Sequence, residues 1–250
     1  MTEYWQELYL FHASTDGYYK RIESAKQTIL QFVEKCESPY ISFSGGKDSS
    51  VLLGLFRDLG LTDIPVFSQL DTLDWDFTER HIDNFYEKMG FMNRHFLTPQ
   101  YDVLKAFSKL TFDEKEGIDT NACFFDLIRD FVEKHGFTGN ANGIRVEESK
   151  NRKMCILKHG TLFQQKNGFW KCFACGHLTG LDVFAYILSN NLPYAPVYDC
   201  HGDYAPHDIR FSWILHPDFL RRGNAVWLKR HFPNEFNKLV SINHKLKCYV

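Results

Sequence analysis

The chain has 250 residues, of which 44% are hydrophobic and 24% charged, with a formal net charge of −2; this suits one globular α/β domain with an appendage and argues against disorder. No run approaches the roughly 18 apolar residues of a membrane span, and the acidic, aromatic start MTEYWQELYL lacks the basic flank of a signal peptide, so a cytoplasmic protein without a membrane partner is expected. Seven cysteines, an odd number scattered along the chain, point to free thiols or a metal site and away from a disulfide framework.

In chain order, residues 17–35 place Ile22, Ala25, Ile29, Leu30, Phe32 and Val33 at helical spacing. A strand end follows at Tyr40, Ile41, Ser42 and Phe43, and then a helix striped by Val51, Leu52, Leu53, Leu55 and Phe56. Between them lies Ser44-Gly45-Gly46-Lys47-Asp48-Ser49. Paired glycines let backbone N–H groups meet an anion with no Cβ in the way. Ser49 or Asp48 can cap the helix, whose positive end faces the same anion, and Lys47 adds a mobile charge. The pattern is a phosphate cradle. It is not the common P-loop, which needs four residues between its glycines and Ser or Thr directly after the lysine.

A second strand is expected from Ile64 to Thr72, placing Asp71 at the carboxyl end of a strand, where open α/β sheets bind ligands. A carboxylate there can hold ribose hydroxyls, hold a metal or cap a helix. The spacing predicts a helix over 77–89 closed by Gly90, a third strand over 92–97, and helices over 102–110 and 122–134. This βαβαβ alternation implies a parallel twisted sheet with helices on both faces. Residues 1–38 read as a helical N-terminal segment, 39–200 as the α/β domain that carries the phosphate cradle, and 201–250 as a basic, partly helical appendage.

Residues 140–152, NANGIRVEESKNR, end a short strand. Gly143 lets backbone approach a ligand, Arg145 and Arg152 can make bidentate contacts to phosphate or sulfate, and Glu148 and Ser149 can pin those arginines. A helix capped near Thr179 ends at Asn190-Asn191, with Val183, Phe184, Ile187 and Leu188 as core.

These motifs identify a resemblance. SGGKDS after a strand is similar to the pyrophosphate-binding loop of the adenine nucleotide alpha hydrolase superfamily, in its phosphoadenosine phosphosulfate (PAPS) reductase-like branch. Asp71-Thr72 resembles that branch's strand-end pair, and GIR followed by ES and Arg resembles its second motif, in which the glycine backs the adenine and the arginines face the transferred group. The likeness spans most of residues 39–240. It implies an adenine nucleotide, ATP or PAPS, with Mg²⁺ neutralising the phosphates. The nucleotide-binding residues are then Ser42, Phe43, Ser44, Gly45, Gly46, Lys47, Asp48, Ser49, Ser50, Asp71, Thr72, Gly143, Ile144, Arg145, Glu148 and Ser149, and the catalytic ones Lys47, Asp48, Arg145 and Arg152.

The reaction expected is cleavage of ATP to AMP and pyrophosphate to adenylylate a substrate, with sulfur transfer to a nucleic acid as one destination. A PAPS reductase using Cys248 is the first alternative, although the tail Leu246-Lys247-Cys248-Tyr249-Val250 lacks the family's Glu-Cys-Gly-Leu-His. A nucleotide-binding subunit with no turnover of its own is the second. Cys172 and Cys175 form a C-x-x-C with His177 behind, a candidate zinc or iron-sulfur pair, but a second C-x-x-C is missing. Beyond Phe219, Arg221, Arg222, Lys229, Arg230, Lys238, Lys245 and Lys247 against Glu235 leave open a nucleic acid or protein partner, with a solvated face as the plainer reading.

Overall fold

The computed structural model describes residues 1–70, 78–98, 107–108, 120–202, 204–209 and 224–250, without the side chains of 120–124, 224 and 249. Within these, β1 (Pro39–Ser42), β2 (Val66–Gln69), β3 (Arg94–Leu97), β4 (Gly139–Ala141), β5 (Leu162–Gln164) and β6 (Trp170–Cys172) form one sheet in the order β3-β2-β1-β4-β6-β5. Strand β1 runs parallel to β2, with Ile41 opposite Val66, and to β4, with Tyr40 opposite Asn140. Strand β4 continues parallel to β6, with Asn140 opposite Lys171.

The expected α/β fold is present, and its sheet departs from a wholly parallel one at a single edge. Strand β5 pairs antiparallel with β6, Phe163 opposite Lys171. The reason is the short link between them, closed by Gly168 N–H donating to Gln165 O at 2.9 Å. A connection that short makes a hairpin, whereas parallel neighbours need a crossover of a dozen residues or more.

The helices are α1 (Glu3–Ala13), α2 (Asp16–Lys35), α3 (Lys47–Asp58), α4 (Thr78–Met89), α5 (Thr120–His135), α6 (Lys150–His159), α7 (Gly180–Ser189), α8 (Asn224–His231) and α9 (Pro233–Ile242). None among the described residues is long and apolar enough to cross a membrane. Helix α1 lies within the N-terminal segment read as helical, although exposed Leu10 and Phe11 blur its periodicity. Its buried contact is Tyr9, which stacks on Phe184 of α7 at 5.2 Å and lies 2.7 Å, through its hydroxyl, from His207 Nδ1. The helix expected over 102–110 lies outside the described residues except for Phe107 and Ser108.

Two compact units divide the chain: Met1–Ser68, Glu79–Phe96 and Val132–Phe211 form the larger, and Gln69–Thr78, Leu97–Phe131 and Ser212–Val250 the smaller. The larger holds the strands almost entire. In the smaller, Trp227 of α8 packs on Phe232 at 5.5 Å, and Asn243 Nδ2 donates to Phe107 O at 2.8 Å. Lys229, Arg230, Lys245 and Lys247 of that unit are exposed, while Arg221 and Arg222 fall outside the described residues.

Helix α7 starts with a capping box, Thr179 Oγ1 accepting from Asp182 N–H and Asp182 accepting from Thr179 N–H. Asp182 is fully buried and does more than cap. Arg21 of α2 donates to both of its oxygens at 2.7 Å, and His12 Nε2 of α1 lies 2.8 Å from Oδ1. One carboxylate thus ties both N-terminal helices to α7. Burial opposes its charge, but the bonds from Arg21, Thr179 and His12 outweigh burial and hold its pKa below the usual carboxylate range.

Removing one partner of such a buried pair leaves the other charge unpaired, so Asp182→Ala should cost about 3 kcal/mol in urea unfolding at neutral pH. The folded pKa is depressed, so this group's stabilisation is present above the unfolded value of about 3.9 and is lost as pH falls through the lower folded value. Unfolding at a series of acidic pH values should therefore show a shallower acid limb in Asp182→Asn than in the wild type.

Candidate functional site

The bend after β1 is built as the glycine pair requires. Gly45 adopts φ 73°, a left-handed conformation strained for residues with a Cβ, and its carbonyl accepts from buried His81 of α4 at 3.1 Å. Burial lowers the His81 pKa, with the Gly45 bond opposing it, which favours the neutral ring as the donor. Gly46, and neither Ser49 nor Asp48, is the N-cap of α3. Ser49 instead turns back, its hydroxyl donating to Gly46 O at 2.9 Å and accepting from Ser44 N–H at 3.2 Å. The cap expectation fails because the glycine already has the extended geometry an N-cap needs, leaving the serine one turn inside the helix.

The first i→i−4 bond runs from Ser50 N–H to Gly46 O at 2.9 Å, so the N–H groups of Asp48 and Ser49 precede it and have no acceptor within the helix. The N–H of Lys47 is taken by the hydroxyl of buried Tyr198 at 2.9 Å. These donors lie in the first turn of α3, where the helix dipole favours an anion.

Lys47 differs from the mobile cation expected. It is 5% exposed, its ammonium donates to Ile209 O at 2.9 Å, and it lies 3.4 Å from Asp48 Oδ2 and 5.6 Å from the Tyr198 ring centroid. A buried ammonium must be paired, and backbone carbonyl, carboxylate and aromatic face together do this.

Asp48 connects the two motifs. Its Oδ1 accepts from Arg145 Nε at 2.6 Å, across 97 residues of sequence. Arg145 is 4% exposed and also donates through Nη1 to Glu147 at 2.8 Å and to Leu178 O at 3.2 Å. Burial opposes the guanidinium charge, and Asp48, Glu148 and Glu147 overcome it, holding the pKa above its ordinary value. Glu147 in turn accepts from Gly180 N–H at 2.8 Å, at the start of α7. Glu148 accepts from Arg145 N–H at 2.9 Å and pairs with Arg152, while Ser149 caps α6 by accepting from Arg152 N–H at 3.2 Å. Arg145 is therefore braced in the interior, and Arg152, with a half-exposed side chain, is the arginine on the outer side.

Gly143 fits against α3. A Cβ there would lie 2.8 Å from Asp48 C and from Ser49 N, closer than real Cβ atoms approach. The second motif's glycine is needed to seat that turn against the first turn of α3, which follows the glycine bend.

Some expected ligand residues belong to the core. The Phe43 ring is buried against Phe85 at 4.8 Å and Tyr86 at 5.3 Å, so its side chain is unavailable to a nucleotide. Ser50 is fully buried, and its hydroxyl has no hydrogen-bond partner among the described residues. Ser44 is exposed, with its hydroxyl 3.1 Å from Ser49 Oγ, and Ile144 is half-buried. Asp71 and Thr72 lie outside the described residues.

Cys172 and Cys175 are buried free thiols, and burial pushes Cys172 up to about 12 and raises Cys175 as well. Among the described residues no group of three or more His, Cys, Asp or Glu side chains is placed to hold a metal ion. Sequence reasoning passed over His81, Asn140, Glu147 and Tyr198. Asn140 and Glu147 stood in the quoted second motif. Tyr198 lies 151 residues from Lys47 and carried no local signal.

Substituting Gly143→Ala should destabilise the protein by about 1–3 kcal/mol through overpacking against α3. Chemical denaturation would check this, and a wild-type midpoint would mean that the turn moves aside.

The fold has solved counterparts: a PAPS reductase of Candida auris (TM-score 0.54, 15% identity, 70% of this chain and 84% of that one) and the FMN adenylyltransferase of Candida glabrata (TM-score 0.54, 13% identity, 79% and 66%). Among curated proteins, the sulfate adenylyltransferase subunit 2 of Caulobacter sp. (strain K31) is 28% identical over 204 residues, covering 72% of this chain and 66% of that protein. The chain thus spans about two thirds or less of the length of the first such relatives. Residues 38–232 match the phosphoadenosine phosphosulfate reductase domain. With its loop, its second motif and most of its length so matched, the chain belongs to the PAPS reductase domain family.

Proposed function

We propose that the chain binds ATP at the start of α3 and transfers its adenylyl group to an acceptor, releasing pyrophosphate. The observation that carries this reading is the 2.6 Å pair between Asp48 and Arg145, which brings the phosphate loop and the second motif into one buried assembly. Family membership, and relatives named for sulfate adenylyl transfer, support it. An acceptor oxygen attacks the α-phosphorus, the new O–P bond forms as the α–β bridging bond breaks, and pyrophosphate leaves with the bonding electrons. Any proton on the acceptor passes to solvent.

In such a reaction the protein works by electrostatics and positioning. The N–H groups of Asp48 and Ser49 and the helix dipole hold the leaving phosphates, and Lys47 exchanges the Ile209 carbonyl for a phosphate oxygen. Asp48 orders Lys47 and Arg145. Arg152 faces the transferred group or the acceptor. As a magnesium ligand Asp48 fits poorly, because its two oxygens are engaged by Arg145 and Lys47. Sulfur transfer to a nucleic acid is one destination for an adenylylated product.

A second reading draws on the word subunit in the relatives' names: the chain holds nucleotide, and turnover needs a partner protein. A PAPS reductase built on Cys248 has less behind it. That thiol is exposed in the turn His244–Tyr249, without the family's tail residues beside it.

Incubating the purified protein separately with α-labelled ATP and with PAPS, each with magnesium and candidate acceptors, distinguishes these readings. AMP transfer with pyrophosphate supports adenylylation, ATP binding without pyrophosphate supports the subunit, and sulfite lost on Cys248→Ser supports the reductase. Lys47→Ala should lower adenylyl transfer by about 100-fold or more while circular dichroism is unchanged; wild-type turnover in that variant refutes the role of Lys47.

A further inference from the structure

A directed chain of hydrogen bonds links the second motif to the end of β1. Ile144 N–H donates to Asn142 Oδ1 at 3.4 Å, Asn142 Nδ2 donates to Asn140 Oδ1 at 3.1 Å, and Asn140 Nδ2 donates to Ser42 Oγ at 2.9 Å. Its polarity follows from the chemistry of the groups. A backbone N–H can only donate, so Asn142 must turn its oxygen toward Ile144 and its NH₂ toward Asn140. Asn140 must then present its oxygen to Asn142 and its NH₂ to Ser42. An independent contact requires the same orientation: Asn140 Nδ2 also donates to Ala141 O at 3.3 Å, and a carbonyl can only accept.

Ser42 Oγ is thereby an acceptor toward the protein. A serine hydroxyl has one proton to give, and here it is directed away from Asn140. Asn140 is 3% exposed, which shields the chain from competing water. Ser42 is the last residue of β1, half-buried, at the carboxyl end of a strand flanked by parallel neighbours. That edge is where open sheets receive ligands. It also precedes the bend at Gly45, so a nucleotide whose phosphates lie at the start of α3 leaves its nucleoside half for the strand ends.

We propose that Ser42 donates its hydroxyl proton to an acceptor atom on the nucleoside half of the bound nucleotide, with Asn140 and Asn142 as positioning residues that fix the direction of that proton. This rests on the reading of the site as an ATP site, and it adds a polarity: Ser42 selects for an acceptor and against a donor at that place. The buried Asn140, which bonds no expected phosphate ligand directly, acts through Ser42.

Calorimetry with ATP, AMP and inorganic pyrophosphate at pH 8 tests it on the wild type, Ser42→Ala, Asn140→Asp and the double variant, with thermal melts to confirm folding. The carboxylate introduced by Asn140→Asp accepts the Ser42 proton and withdraws it from the ligand. ATP and AMP should each bind about tenfold more weakly to both single variants, as expected for one lost hydrogen bond, while pyrophosphate affinity stays within about twofold. The double variant should be no weaker than the weaker single one, because both act through one proton. Wild-type affinity for ATP and AMP in Asn140→Asp, an equal loss for pyrophosphate, or additive losses in the double variant would each overturn the proposal and leave the ATP site standing. If the wild type binds none of the three ligands, the ATP reading falls and this proposal with it. Should Asn140→Asp not fold, Ser42→Ala decides, and unchanged AMP affinity there overturns the donor role.

Discussion

The candidate site depends on the contact between Asp48 and Arg145. At 2.6 Å and almost out of solvent, it carries a high desolvation cost that only further hydrogen bonds can offset. Those bonds surround the arginine, through Glu147, Glu148 and Leu178 O, and Asp48 gains a second ion pair with Lys47 at 3.4 Å. Because Glu147 also receives Gly180 N–H, the same network reaches the first turn of α7. The helix that presents the anion donors, the turn after β4 and α7 are held in one arrangement by charge and close packing together. Asp48 is thus placed to set the geometry of the loop through both contacts.

Much of this was legible in the sequence, for physical reasons that can be named. The strand, glycine bend and helix at 40–56 obey local rules: alternation, a left-handed glycine and a 3.6-residue stripe. Helix α7 was placed nearly to the residue by its Thr179 cap and the Asn190-Asn191 stop. The motif at 143–152 was legible as a site only through its likeness to a known family, since Gly143 shows its purpose once α3 lies 2.8 Å from where its Cβ would be. What sequence could not supply was long-range pairing. Tyr198 on Lys47 N–H, and Ile209 O on the ammonium, join positions with no shared periodicity, so a lysine read as mobile is buried and paired.

The misreadings share a cause. Ser49 and Asp48 looked like caps because residue type was considered before backbone shape, and Gly46 already had the required extended conformation. Phe43 and Ser50, expected among the ligand residues, both have buried side chains. The parallel sheet was right for the strands joined by helices and wrong for β5, which a short turn folds back on β6. Helix α1 lies in the segment expected to be helical, but its contacts, Tyr9 on Phe184 and His12 on Asp182, join it to partners 170 residues or more away that no local pattern shows.

The double hold on Lys47 has a thermodynamic corollary. A phosphate oxygen that takes the ammonium must compete with the Ile209 carbonyl, and Ile209 follows directly on the turn Pro206–Asp208. On the proposed reading, loop occupancy and the placement of Ile209 would be linked functions in the Wyman sense, each altering the free energy of the other by the same amount. Nucleotide affinity would accordingly be a difference between two sets of contacts, and a change confined to the turn before Ile209, far along the chain from the glycine bend, would alter it without touching the ligand.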